Sequence, residues 1–342
     1  MALADEYEWQ AKGCAHLGSA FYAELCTRIA EELRAGGPIA AVLEPTARQA
    51  RDLHPLRLLG GVHRRVLTGQ APELAAHYPS VGGDGDVRAC WSVLRALLED
   101  PPSAVMEALD QVPQTNEVAR SGPLGSGLAV VAHETGLPLR LREIGSSAGL
   151  NLRVENYWFE GGGGSFGDPD SPIRFVDVWD GGAPPLDADV RILDRRGCDL
   201  DPLDPTTDEG RLMLLSYVWP DQEERLERLR AALDLAPRIE APVDRAAADD
   251  WLEGVRVEQG AATVVQHSTF WWYLDDDVQR RMMKALARAG GEATPDAPLA
   301  WLSFEVSADD GTSDLRLTTW PGGEERLLAR AAAHPRRIEW LV

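Results

Sequence analysis

The chain has 342 residues, with 34 Lys and Arg against 55 Asp and Glu and a formal net charge of −21 at pH 7. That balance argues against a basic footprint for nucleic acid or anionic lipid. Apolar residues make up 44% and charged residues 26%, the mark of a globular chain, and no apolar run approaches the ~18–20 residues of a membrane helix.

The acidic start MALADEYEWQ lacks the basic-then-apolar pattern of a signal peptide. Residues 5–34 carry an apolar stripe (Trp9, Phe21, Leu25, Ile29, Leu33) at helical spacing, ending at Gly36-Gly37-Pro38. PLRLLGGVHRRVLTGQ, APELAAHY and DVRACWSVLRALLED read as further helices, the last stopped by Pro101-Pro102. NEVARSGPLGSGLAVVAHETG leads into another helix with Gly136 as its cap. No convincing strand precedes residue 138. From there LPLRLREI reads as a strand and LNLRVEN as helical. YWFE and IRFVDVW read as a hairpin around a GGGG tip. DVRILDRRGCDL is strand-like, and the segment from RLMLLSYVW to ALDLA is helical with a break at Pro220. ATVVQHS and PLAWLSFEVS read as strands around the helix DDVQRRMMKALARAG. DLRLTTW and RRIEWLV read as strands flanking a segment rich in alanine and arginine. Strands alternating with helices predict a Rossmann-like α/β sheet, mostly parallel, with an antiparallel C-terminal edge. The expected division is an α-helical region over 1–120 and the α/β domain over 121–342.

Cys14, Cys26, Cys90 and Cys198 are far apart and form no CxxC pair. That fits a reducing cytoplasm and gives no zinc site. His54, His63 and His77 lie in the helical region without metal-ligand spacing, so structural roles are expected for them.

Glu143-Ile-Gly145-Ser-Ser147-Ala-Gly149-Leu-Asn151 is the most informative stretch, placed where a strand becomes a helix. Glycines at the end of a first parallel strand allow a tight turn and close approach of a ligand. The following helix offers free N–H groups, and Glu143 can receive a cationic ligand group. The same residues also match G-x-S-x-G, which would make Ser147 a nucleophile. His267 or His334 would then be its base, with Asp244 or Asp309 as the third member. The absence of strands upstream of the loop favours the cofactor reading. The second strand end offers Asp199 for ribose hydroxyls, and the third offers Asp244 or Asp249 beside adenine. The fourth ends in His267-Ser268, where a histidine can take a proton near neutral pH, and Glu305 near the end of the fifth is a candidate of the same kind. Trp271 and Tyr273 are placed to wall a pocket for a flat substrate. Asn116 and Arg120 are candidates for a polar acceptor or for a cofactor carboxylate.

The E-x-G-x-x-x-G loop and the G-x-D-x-x-P stretch around Asp199 resemble motifs of S-adenosylmethionine-dependent methyltransferases. Several segments together resemble the bacterial domain-of-unknown-function family 2332. They are Asn116–Arg120, Glu143–Asn151, Gly197–Asp204, Tyr217–Gln222, His267-Ser268 and Tyr273-Leu274. Trp272 and Pro335 depart from the residues expected at their positions. The resemblance implies a helical N-terminal part and a methyltransferase-like core. In that reading Glu143, Gly145, Ser147, Gly149, Asn151, Asp199 and Asp244 hold S-adenosylmethionine, His267 and Glu305 serve catalysis, and Asn116, Arg120, Trp271 and Tyr273 face the acceptor. The expected partner is a small molecule, with no nucleic acid and no membrane. Two alternatives stay open: a serine hydrolase using Ser147, and a non-catalytic small-molecule-binding protein.

Overall fold

The computed structural model describes residues 2–47, 53–307 and 312–342; Asp309 lies outside the described residues. The chain divides into two compact units. One comprises Met1–Thr115 with Thr207–Arg230, and the other comprises Asn116–Thr206 with Ala231–Val342. Sequence pattern suggested one boundary at residue 120; the helical unit instead takes in a second, later segment. Its reason is long-range and polar. Asp221 accepts hydrogen bonds from Ser19 Oγ at 2.5 Å and Phe21 N at 3.0 Å, near the start of a helix some 200 residues earlier.

The helical unit contains α1 (Leu3–His16), α2 (Ala20–Ala35), α3 (Pro38–Leu43), α4 (His54–Leu67), α5 (Pro72–Ala75), α6 (Val87–Glu99) and α7 (Ser103–Ala108). The apolar stripe over 5–34 is two helices rather than one. Gly18 turns the chain at φ +85°, and Ser19 caps α2 by accepting from Tyr22 N. Their apolar faces enclose a core that includes Leu25, Ile29, Leu58, Leu59 and Leu94. Two histidines are buried in it, and each has both ring nitrogens engaged. His63 donates from Nδ1 to Ser216 O at 3.1 Å and pairs through Nε2 with Ser80 Oγ at 2.8 Å. His54 lies between Tyr7 OH at 3.0 Å and Thr46 Oγ1 at 2.9 Å. Burial pushes both imidazoles down to about 4.

The second unit opens with α8 (Ser121–Thr135) and β1 (Leu139–Ile144). Next come β2 (Trp158–Gly161), β3 (Gly164–Gly167) and β4 (Arg174–Val176), which form a small separate sheet. The expected hairpin is corrected here. Gly162 and Gly163, both at positive φ, turn the chain at once, so β2 pairs antiparallel with β3. The segment IRFV becomes β4, parallel to β2 on its other side. The main sheet continues with β5 (Trp179–Asp180) and β6 (Ile192–Asp199). The helices α9 (Asp208–Ser216) and α10 (Glu223–Leu235) follow in the chain. Then come β7 (Val243–Arg245), α11 (Ala248–Leu252), β8 (Ala262–Ser268), α12 (Asp276–Gly291), β9 (Leu299–Val306), β10 (Ser313–Trp320), β11 (Glu324–Ala331) and β12 (Ile338–Trp340). The alanine- and arginine-rich segment is thus a strand, β11, paired to β10 and β12.

Among the described residues the main sheet runs β5-β12-β11-β10-β9-β8-β1-β6-β7. The stretch from β9 to β7 is parallel, and β9 to β12 alternate antiparallel. This is a Rossmann-like α/β sheet with an antiparallel C-terminal side. β1 is the first strand and sits inside the sheet, so the chain leaves it to one side for β6 and later crosses to the other for β8. The carboxyl ends of β1 and β8 therefore flank the switch point, where open sheets of this kind bind ligands. Layers on both faces explain the sequence. β8 is buried along nearly its whole length, as a central parallel strand must be. α11 and α12 pack on one face around Ile144, Cys198, Val265 and Met282. α8 packs on the other face. A Cβ on Gly127 would stand 2.4 Å from Leu302, so only glycine lets this helix come so close to β9.

Candidate functional site

The loop after β1 is held through Ser146, to the end of β1 and to β6. Ser146 Oγ donates to Glu143 O at 2.7 Å, and Ser146 N donates to Cys198 O at 3.0 Å. Gly145, Ser147 and Gly149 all have φ between +53° and +66°. Gly145 is required twice over: a Cβ there would also stand 2.3 Å from the Phe270 ring. Ser147 adopts a left-handed geometry that glycine takes more readily. The N–H of Ser147 donates to Asp199 Oδ2 at 2.9 Å, and Asp201 N donates to Asp199 Oδ1 at 2.9 Å. Asp199 thus ties the end of β6 to the loop, and each of its oxygens already accepts one bond.

Asn116 reaches the far end of the same loop, its Oδ1 accepting from Leu150 N at 2.9 Å. Asn151 is buried, and its Oδ1 accepts from Ser121 Oγ at 2.7 Å. Arg120 closes a short 3₁₀ turn, Val118–Arg120, whose Glu117 caps Ala119 N. It is buried and donates to Ser268 O at 3.4 Å and Ala333 O at 3.3 Å. Asn116 thus fastens the β1 loop and Arg120 the end of β8, while Glu117 caps the turn between them. Asp244 stands apart on the outermost strand β7. Arg196 grips it through both oxygens, at 2.6 and 2.7 Å, and Trp251 Nε1 donates at 2.8 Å.

Glu143 is the one acid buried at the loop itself, 2% exposed. Its Oε2 has no hydrogen-bond partner among the described residues, and neither has Oε1 of Gln266, its register neighbour on β8. Burial pushes the Glu143 carboxyl up to about 8, helped by the Asp199 charge and opposed by the Gln266 hydrogen bond, Arg153 and Arg120. Unpartnered buried oxygens in such a place mark a candidate contact for a ligand or an ordered water. Arg153 steadies the loop from behind by donating to Gly149 O at 2.7 Å and Ile239 O at 3.0 Å. It also lines a cavity of about 610 Å³ with Ala148, Asp204, Arg238 and Glu240.

His267 follows Gln266 on β8, so its ring projects from the opposite face of the sheet. It is 1% exposed. Its Nδ1 lies 2.7 Å from Glu305 Oε1, and Glu305 also accepts from Phe270 N. An Nδ1–H given to this carboxylate leaves Nε2 as the lone-pair nitrogen. Nε2 has no partner among the described residues. Trp271 stacks on the imidazole at 5.5 Å and 22°. Tyr273, half exposed, packs against Trp272 at 3.9 Å between ring centroids. The turn that carries these rings begins at Thr269, with φ +49°.

The structure thus gathers Glu143, Gly145, Ser147, Gly149, Asn151, Asn116 and Asp199 at one loop. It joins His267, Glu305 and Trp271 on the opposite face, with Arg120 bonded at the end of β8. Sequence reading missed Gln266, Arg153 and Trp301. A polar residue inside the apolar run ATVVQ was the available signal for Gln266. Among the described residues no helix is long and apolar enough to cross a membrane. No group of three or more His, Cys, Asp and Glu side chains among them is placed to hold a metal.

The family described as "Uncharacterized protein conserved in bacteria (DUF2332)" matches residues 4–340. The chain belongs to that family. No curated protein and no solved structure matches it. In this DUF2332 chain the glycine loop, Asp199 and the His267–Glu305 pair all fall within the matched span.

Proposed function

We propose that the second unit binds S-adenosylmethionine at the β1 loop and transfers its methyl group to a small molecule. The supporting observation is Glu143: a buried carboxyl with an unpaired oxygen, beside a left-handed glycine loop at the switch point of a Rossmann-like sheet. In this reading Glu143 and Gln266 accept from the donor groups of the cofactor. Gly145, Ser147 and Gly149 give backbone room, and Asn151 holds the loop in place. Asp199 fixes the loop and offers ribose its remaining lone pairs. The cofactor supplies an electrophilic methyl on a sulfonium; such a transfer asks the protein mainly for positioning. At the carboxyl edge, where Phe270 lies against both Gly145 of the loop and the His267 ring, His267 takes the acceptor's proton at Nε2 and Glu305 holds its tautomer. Calorimetric titration with S-adenosylhomocysteine tests this. Binding that is lost in Glu143→Ala supports the reading, and no heat at millimolar ligand removes it.

The left-handed Ser147 also favours a second reading, a nucleophile elbow. Stoichiometric labelling of Ser147 by a fluorophosphonate would establish the hydrolase in place of the transferase.

A further inference from the structure

Two ring nitrogens on one face of the sheet lack a partner among the described residues: His267 Nε2 and Trp301 Nε1. Register places both side chains on that face. His267 lies opposite Ser303, and Trp301 lies opposite Val265, each an even step apart. The two rings are 5.8 Å apart between centroids, tilted by 35°. Their chemistry is complementary. With Nδ1–H directed at Glu305, Nε2 of the neutral imidazole accepts, whereas an indole N–H can only donate.

One group satisfies both nitrogens if it accepts and donates through the same atom. A hydroxyl does so. A carboxylate cannot donate, an ammonium cannot accept, and an ether only accepts. The walls narrow the class further. Trp271 lies 5.5 Å from the imidazole and 5.7 Å from Trp301 between ring centroids, so the two nitrogens belong to a cluster of three flat rings. We propose that a hydroxyl of a flat, aromatic acceptor binds here, its oxygen taking the Trp301 Nε1–H and its proton directed at His267 Nε2. This makes Trp301 a substrate-binding residue. The inference rests on reading His267 as the proton acceptor of the site, but not on the identity of the methyl donor.

Phenol and its ether anisole are suitable probes. The full chain, labelled with ¹⁵N at the tryptophan indoles, is titrated with each, and Trp301→Phe assigns the Trp301 resonance. Phenol should shift that resonance and bind at least about 10-fold more tightly than anisole. The preference should fall to near one in Trp301→Phe, which keeps the ring packing, and in His267→Phe, provided its spectrum stays dispersed. Equal binding of the two probes, an unmoved Trp301 resonance, or a preference that survives Trp301→Phe would overturn the proposal; an unmoved resonance would assign the two nitrogens to a bridging water. S-adenosylhomocysteine is titrated separately. Phenol selectivity without binding of that ligand removes the methyl-donor reading and leaves this one standing, and the reverse result removes this one alone.

Discussion

His63 and His267 are both buried, yet they answer to different constraints. His63 in the helical unit has a partner on each ring nitrogen, Ser216 O and Ser80 Oγ. His267 at the sheet's carboxyl edge has Glu305 on one nitrogen and none on the other among the described residues. A core histidine is satisfied because an unmet buried polar atom costs stability. In the proposed function His267 keeps one nitrogen bare because its partner arrives with the ligand. Sequence position already separates the two, a histidine of the helical region from one at a strand end, and the partners on the ring nitrogens give that separation a physical basis.

The largest expected effect is on the satisfied member. His63→Ala removes a filled volume and strands Ser80 and Ser216 O, and should cost about 4 kcal/mol in denaturant titration. His267→Phe should cost less than half of that while abolishing the phenol preference. Equal costs would place His267 among the structural histidines and break the comparison.

Acid sharpens it next. His54 and His63 have folded values depressed to about 4 from 6.5. Their contribution is complete above pH 6.5 and is lost as pH falls toward 4, by up to ~3 kcal/mol each. Glu143 runs the other way. Its value is raised to about 8, so its contribution is full below pH 4.5 and is lost as pH rises through 8. Denaturation across pH 4–9 should therefore show His54 and His63 lowering stability from pH 6.5 down to 4 and Glu143 lowering it from pH 4.5 up to 8, and Glu143→Gln should flatten the alkaline arm while steepening the acid one. An unchanged alkaline arm would mean that Glu143 is already ionised at neutral pH.

Asp199→Asn should cost about 1–2 kcal/mol through the loop bonds it weakens and lower S-adenosylhomocysteine affinity by ~10-fold. Unchanged affinity would confine Asp199 to holding the loop. The smallest effect is Ser147→Gly, which relieves a left-handed residue and should change stability by less than about 1 kcal/mol. A strong loss would show that the Ser147 hydroxyl is needed.

The parallel half of the sheet was legible in the sequence because its strands stand between helices, with β8 and β9 strongly apolar. β1, β6, β8 and β9 all stand where their patterns predict. β11 was not, since Glu-Glu-Arg-Leu-Leu-Ala-Arg-Ala carries helix formers and no β-branched residue. Its strand state comes from β10 and β12 on either side. β4 was assigned as a strand but given the wrong partner, because nothing in IRFV states its direction. The candidate site divides in the same way. The loop and the His267-Ser268 end show as local patterns, whereas Gln266 and Trp301 acquire meaning only through register with β1 and β8. That information lives in pairing, not in the residues themselves.

The helical unit closes with Thr207–Arg230, a segment synthesised long after its first seven helices. Until about 230 residues have been made, α2 lacks the carboxylate of Asp221 and Gly60 lacks the Tyr217 ring that lies over it. Completion therefore cannot proceed simply from the N-terminus as the nascent chain emerges. The early helices must wait, with part of their apolar surface uncovered, while β1 through β6 are added. Contacts of such long sequence separation slow folding. During translation the unit begun first is among the last to be finished, and in that interval the chain most needs protection from its neighbours.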